Sequence, residues 1–344
     1  MSNQNVINAN AMNISDIQQQ LFQFIKTRLP AEASVADEVA KLLNISSDSA
    51  YRRMRGEKQI TFEELYLLCT NYRISLDQLM NIQTGGFAFQ GSIVNTSTFG
   101  FDQYLTGMMH TMAYFNSFKS KELYHSCKDM PIFHHFHLRE VAAFKWFFWH
   151  KTYLQSAGFA KKKFKFSEYP DEVFNLAQQV LGLFNQLSTR EIWNIESMSI
   201  FLRQIEFYRD SQLFESDEDA LKLYEALEKT WDHLERQAAL GYKFRYDDPE
   251  RKPLGEYKMY FNEVLLGDNS FLAVTDGVKM AVLTHTTFNY IMTRDVTFTE
   301  NMYTHMLNQM KRSTLISEVS EKERSRFFRI IRDRIHKRKE ALSV

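Results

Sequence analysis

The sequence is short of cysteine, proline and glycine: 2 Cys, 5 Pro and 12 Gly in 344 residues. Two cysteines, Cys69 and Cys127, cannot build a disulfide framework, and the simplest reading is a pair of reduced thiols in a cytoplasmic protein. So few glycines and prolines argue against a turn-rich all-β fold and point to helices. No run of about 18 apolar residues exists, so no transmembrane helix is expected. The richest window, Val141 to Leu154, is broken by Lys145, His150 and Lys151. The first 30 residues carry no basic segment followed by an apolar run, so no secretory signal is read. Charge of one sign is not in excess either: 42 Lys+Arg oppose 42 Asp+Glu. That excludes a globally basic nucleic-acid coat and a globally acidic solvating chain, but not a local basic surface. P-loop, G-x-G-x-x-G, G-x-S-x-G, HExxH and CxxC motifs are all missing, so no enzyme activity, catalytic residue or cofactor is assigned.

What is present is an ordinary globular balance, 44% hydrophobic and 24% charged, with 29 Phe, 16 Tyr and 4 Trp. The length suggests two domains. Residues 1–13 are polar, Asn/Gln-rich and aperiodic, and read as a disordered lead. From Ser15 the apolar positions Ile17, Leu21, Phe22, Phe24, Ile25 and Leu29 recur at helical spacing, with Ser15 and Gln18 as a capping box and Pro30 as the stop. Four short helical segments follow to about Met80. Residues 83–98, rich in Gly, Ser, Thr and Asn, read as a linker. Beyond it, helices are expected at 102–118, 137–156, 171–187, 197–214, 217–240, 297–313 and 320–341, with short β-like pieces at Glu122–Ser126 and Ile132–Phe136. The clearest strands are Tyr257–Leu266, Phe271–Thr275 and Val278–Thr284, joined by Gly267-Asp268-Asn269 and by the hairpin signal Asp276-Gly277. The expected fold is mainly α: a five-helix domain over 14–82, then a larger, mostly helical α+β domain over 99–344 with a small antiparallel meander.

Residues 34–80 hold the functional signal. Val35–Leu43 is an amphipathic helix with the small Ala40 facing its neighbour. Asn44-Ile45-Ser46 is a tight turn in which Asn tolerates the left-handed conformation. Ser46 caps a second helix, Ser47 to Met54, closed by Arg55-Gly56. Thr61 with Glu64, and Ser75 with Gln78, cap two more. Five short helices with a tight turn between the second and third form a helix-turn-helix layout. The stretch VADEVAKLLNISSDSAYRRMRGEKQITFEELYLLCTNYRISLDQLM resembles the Cro/repressor-like (XRE-type) family, most closely its BetR-like N-terminal variant. The similarity spans about 65 residues, roughly a fifth of the chain. It implies a sequence-specific DNA-binding transcriptional regulator.

The residues support the same expectation. A helix beginning with Ser46, Ser47, Asp48 and Ser49 is small and polar enough to enter the roughly 12 Å major groove. Tyr51, Arg52 and Arg53 follow, the arginines suited to guanine edges or phosphates. Arg55 and Lys58 are placed for the backbone, and the free amides near Ser34 and Ser46 for phosphate. Where the family often has a long amide, this chain has Ser47, and Asp48 must accept from a cytosine amino group to be tolerated. Residues 1–82 carry eight Lys/Arg against nine Asp/Glu, so binding would lean on local placement and on a homodimer. Two half-sites about 34 Å apart also call for a dimer. The aromatic-rich C-terminal domain is the expected seat of dimerisation and of a small-molecule effector. Two rival readings remain: a protein-interaction or scaffold module, and a targeting module fused to an enzyme domain.

Other signals read as structural. His125, His134, His135 and His137 crowd near Cys127, but the spacing fits no zinc template, so no metal is expected. Phe144–His150 is apolar nearly all round, which suits a buried helix or a pocket wall. From Lys311 onward eleven Lys/Arg oppose five acidic residues. The expectation there is a solvated helix face or docking on an acidic patch of the same protein, with a DNA-backbone contact as the alternative.

Overall fold

The computed structural model describes residues 14–26, 29, 33–72, 74–80, 86–91, 100–264 and 269–342. The chain divides into two compact units, residues 1–88 and 89–344. The boundary lies inside the 83–98 stretch, of which 83–85 and 92–98 fall outside the described residues. So do the 1–13 lead, Pro30, and the Gly267-Asp268 turn.

Among its described residues the first unit has five helices: α1 (Ile14–Lys26), α2 (Val35–Leu43), α3 (Ser47–Met54), α4 (Phe62–Asn71) and α5 (Leu76–Met80). Leu21, Phe22 and Ile25 of α1 share one apolar core with Val39, Ala40, Ala50, Leu68 and Leu79. Asn44 ends α2 at φ 52°, in the left-handed region, and its N–H returns to the carbonyls of Ala40 and Lys41. Gly56 closes α3 at φ 79°, where a Cβ would be strained. Thr61 and Glu64 form a reciprocal capping box at the start of α4.

One buried side chain ties α1 to this frame. Gln18 is only 4% exposed. Its amide donates to the carbonyls of Arg53 (2.7 Å) and Lys58 (2.9 Å), and its oxygen accepts from Ile60 N–H (3.1 Å). Gln18 is thus a clasp on the α3–α4 connection; the Ser15 side chain, expected to cap with it, lies outside what the structure describes.

The second unit overturns the expected mainly α fold with a small meander. Its centre is an eight-stranded mixed sheet in the order β1-β7-β6-β5-β2-β3-β4-β8. In chain order the elements are β1 (Gln90–Gly91), α6 (Phe101–Asn116), β2 (Lys121–Cys127), a 3₁₀ turn (Ile132–Phe136), α7 (Arg139–Phe148), α8 (Asp171–Asn185), β3 (Ser188–Trp193), α9 (Ser199–Asp210), α10 (Asp217–Leu240), β4 (Tyr257–Phe261), β5 (Asn269–Thr275), β6 (Val278–Thr284), β7 (Tyr290–Thr293), α11 (Val296–Lys311), β8 (Thr314–Leu315) and α12 (Glu321–Glu340). β2, β3 and β4 are parallel, which requires the long helical crossovers between them. The remaining pairings are antiparallel. At the β5–β6 hairpin, Asp276 (φ 46°) and Gly277 (φ 85°) both take the left-handed conformation a two-residue turn needs. Ile132–Phe136, expected as β-like, is a 3₁₀ turn.

Strand alternation sorts the core into two layers. Leu123, Trp193, Ala273 and Met280 face the large cluster built with α6 to α10 and α12. Their neighbours Tyr124, Ile192, Leu272 and Ala281 meet Met302, Met306 and Met310 of α11. The Phe144–His150 run proves to be core: Val141 to Trp149 are all buried.

Removing the Gln18 clasp tests how α1 is held. Gln18→Ala leaves two carbonyls and one N–H to find water, at a cost of roughly 1–3 kcal/mol to the first unit. All four tryptophans (Trp146, Trp149, Trp193, Trp231) lie in the second unit. An earlier urea transition by far-UV circular dichroism is therefore expected, with the tryptophan-fluorescence transition unchanged.

Candidate nucleic-acid interface

The surface of interest starts with α3 and what holds it. Its first turn is short and polar: Ser46, Ser47 and Asp48 are exposed and Ser49 half-buried. Ser46 Oγ accepts from Ser49 N–H at 3.2 Å, so the helix start is capped by its own chain. Ser47 Oγ donates to the Asp37 carboxylate at 2.9 Å, joining the N-terminal turns of α2 and α3. Ser34 caps α2 by accepting from Asp37 N–H. Two aspartates, Asp37 and Asp48, therefore stand in the two first turns, where the helix dipoles favour them. Tyr51 is 47% exposed and Arg52 is also at the surface.

Arg53 leaves the set of surface candidates. Its side chain is 4% exposed, and it forms a bidentate pair with Glu64: Nε to Oε2 at 3.0 Å and Nη2 to Oε1 at 2.6 Å. Nη1 donates to the Ser49 carbonyl at 3.1 Å. Neighbouring residues stand 100° apart on a helix, so one of the two arginines can face the core while the other faces solvent. The Glu64 carboxyl is held below the usual carboxylate range, chiefly by the hydrogen bond from Arg53 against the opposing effect of burial.

Arg55 and Lys58 are exposed, just beyond α3. Arg55 is bidentate with Glu57, at 2.7 and 3.1 Å, and Arg52 Nε lies 3.9 Å from the same carboxylate. One glutamate thus offsets two of the cations a phosphate would meet. Glu57 and Gln18 went unnoticed as determinants of the surface. Glu57 could have been found, being two residues from Arg55 and five from Arg52.

Among the described residues no group of three or more His, Cys, Asp or Glu could hold an ion. His134 instead donates through Nε2 to Glu191 at 3.0 Å, and Trp193 Nε1 (2.9 Å) and Tyr257 OH (3.1 Å) donate to the same carboxylate. Burial alone would raise Glu191, but the interaction with His134 outweighs it and holds the carboxyl down. Lys243, wholly buried, donates to the Phe184 carbonyl at 3.0 Å, and burial pushes it down to about 7. His135, His137 and His233 are all lowered, first by burial and then by nearby positive groups, His233 to about 3.

Much of the charge of the basic C-terminal helix is paired within the unit. Arg332 pairs with Asp232 and Glu235, Arg334 with Glu196, Arg338 with Glu206 and Lys339 with Glu228, all at 2.6–2.9 Å. Phe327, Phe328, Ile331 and Ile335 are fully buried beneath it. No protein-family model, curated protein or solved structure matches the chain.

Two outcomes follow from these pairs. Arg53→Ala should cost the first unit roughly 2 kcal/mol at pH 7, a value discounted for the partial exposure of Glu64. Because Glu64 is depressed in the fold, its contribution is present above about pH 4.5 and lost as the pH falls below that. The gap between Arg53→Ala and wild type should therefore narrow below pH 4.5 in urea titrations followed by circular dichroism. In the second unit, His135, His137 and His233 are neutral when folded and protonate on unfolding below about pH 6.5. Stability by tryptophan fluorescence should then fall by up to about 1.4 kcal/mol per pH unit for each histidine as the pH drops from 6.5, and His233→Gln should flatten that slope.

Proposed function

We infer that the chain is a cytoplasmic, sequence-specific DNA-binding transcriptional regulator of the Cro/repressor-like (XRE-type, BetR-like) kind. The observation that carries this reading is the α2–Asn44–α3 unit. A helix with a short polar first turn stands exposed, and its rear is fastened by Gln18 and by the Arg53–Glu64 pair. An element meant to read base edges must hold its angle within a groove while presenting side chains that fit there. In this reading Ser46, Ser47, Asp48 and Ser49 approach the bases, and Tyr51 and Arg52 follow along the groove. Arg55 and Lys58 meet phosphates. Arg53 has a positioning role, because its guanidinium is consumed inside the unit.

A homodimer is part of the proposal, since one small helix reads too few bases. Phe62 and Tyr66 of α4 are 82% and 63% exposed, and their i, i+4 spacing puts them on one helix face. That apolar face suits a second copy. The larger unit carries the effector role in the proposal, and no catalytic role enters it.

The test is selection of fragmented genomic DNA by the full-length protein at about physiological salt, followed by sequencing and affinity measurement on the retained sites. Enrichment of a few related, palindromic sites is expected. Arg52→Ala should weaken binding by about 1–3 kcal/mol if its side chain reads a base. Glu57→Gln should tighten it, because Arg55 and Arg52 are then released toward phosphate. Absence of enrichment, or equal affinity for all three proteins, would overturn the reading.

A further inference from the structure

The larger unit carries a lysine cluster that its fold holds outward. Lys161, Lys162, Lys163 and Lys165 are four cations within five residues, all exposed. Glu168 is 2.9 Å from Lys162 and 3.5 Å from Lys165. Among the described residues Lys161 and Lys163 have no carboxylate within ion-pair distance. In α12, by contrast, Arg332 pairs with Asp232 and Glu235, Arg334 with Glu196, Arg338 with Glu206 and Lys339 with Glu228.

The loop is fastened on both sides of the lysines. Lys151 Nζ donates to the carbonyls of Phe159 (2.9 Å), Ala160 (2.8 Å) and Lys162 (2.8 Å). Three oxygens that would repel an anion are thereby occupied. Phe159 stacks on His150 at 4.6 Å. Phe164, 1% exposed, is gripped by main-chain bonds to Leu213 and Glu215 at 2.7 and 2.9 Å. The ammonium groups therefore project from a held backbone while the rings of Phe159, Phe164 and Phe166 pack inward.

We propose that this loop is a docking surface for the phosphate backbone of double-stranded DNA, a sequence-independent contact in addition to that of α3. The inference rests on the DNA-binding reading above. Two observations favour duplex phosphate over an anionic bilayer. The loop offers charge without an apolar side chain to insert, whereas surface-binding membrane segments pair basic residues with apolar ones. The first unit, at one net negative charge over residues 1–82 and with Arg52 and Arg55 partly offset by Glu57, supplies few cations for the counterion release on which duplex affinity depends. The lysine loop supplies the missing ones.

The experiment measures full-length protein on a random-sequence 30-base-pair duplex by fluorescence anisotropy across a salt series. Wild type, Lys161→Gln/Lys163→Gln/Lys165→Gln, and a charge-matched control, Lys119→Gln/Lys252→Gln/Lys322→Gln, run in parallel. Each lost phosphate contact removes about 0.9 from the slope of log K against log salt. The loop variant should therefore lose about 2–3 from that slope and the control should keep it. Equal slopes for wild type and loop variant, or an equal drop in the control, would overturn this inference alone. No duplex binding by wild type at any salt would overturn it together with the DNA-binding reading. Phosphatidylserine vesicles form a last arm: binding there that the loop variant loses, with unchanged duplex slopes, would reassign the loop to membranes and overturn the proposal.

Discussion

The sheet unit depends on a single buried carboxylate. Glu191 sits on β3, between two parallel neighbours and 1% exposed. Stripping water from a carboxylate is costly unless donors replace it. Here the donors are His134 from the 3₁₀ turn, Trp193 two residues along the same strand, and Tyr257 from β4. Each comes from a separate stretch of chain, so the strand order, the turn after β2 and the register of β4 must all be correct at once. His137, ring to ring with His233 at 4.6 Å, extends the same arrangement into α10. His134 and His137, which look like metal ligands in the sequence, are parts of this packing.

The small unit solves a similar problem with neutral and charged groups. A core of about a dozen apolar side chains leaves the α3–α4 connection with carbonyls and N–H groups to satisfy. Gln18 uses its donors and acceptor there, and Arg53 uses its fork on Glu64 and on the Ser49 carbonyl. Gln18 fastens the main chain of Arg53, Lys58 and Ile60, and the Arg53 side chain fastens Ser49 and Glu64. The exposed face of α3 is consequently borne by a frame with little freedom to tilt, which is what a groove-reading helix requires.

Charge in this protein is mostly settled locally. Arg332 and Arg338 of α12 end on acidic residues of α10 and α9, Arg334 ends on Glu196, and Glu57 ends on Arg55. Zero net charge is therefore not an even spread of charge: many basic residues are paired with acidic neighbours, whereas among the described residues Lys161 and Lys163 have no carboxylate within ion-pair distance and Lys162 and Lys165 share Glu168. Surface pairs of this kind contribute little stability, but they decide which cations are left to meet an anion.

Much of the first unit was legible in the chain. The caps at Ser46 and Thr61, the left-handed Asn44, the closing Gly56 and the Asp276-Gly277 hairpin are local consequences of backbone conformation, and local residue types are enough to set them. The strand β3 was not legible. Its sequence, Ser-Thr-Arg-Glu-Ile-Trp, places a carboxylate where an apolar residue marks a buried strand, and only the donors of Glu191, from as far as 66 residues away, make that position tenable. The eight-stranded sheet was missed for the same reason, since β1, β7 and β8 are short and paired by distant partners. Among the candidate interface residues, the sequence by itself determined that α3 begins small and polar and carries two adjacent arginines. Tertiary structure alone decided which arginine stays outside: Arg53 turns inward because Glu64, eleven residues on, waits there to pair with it, and Arg52 remains at the surface.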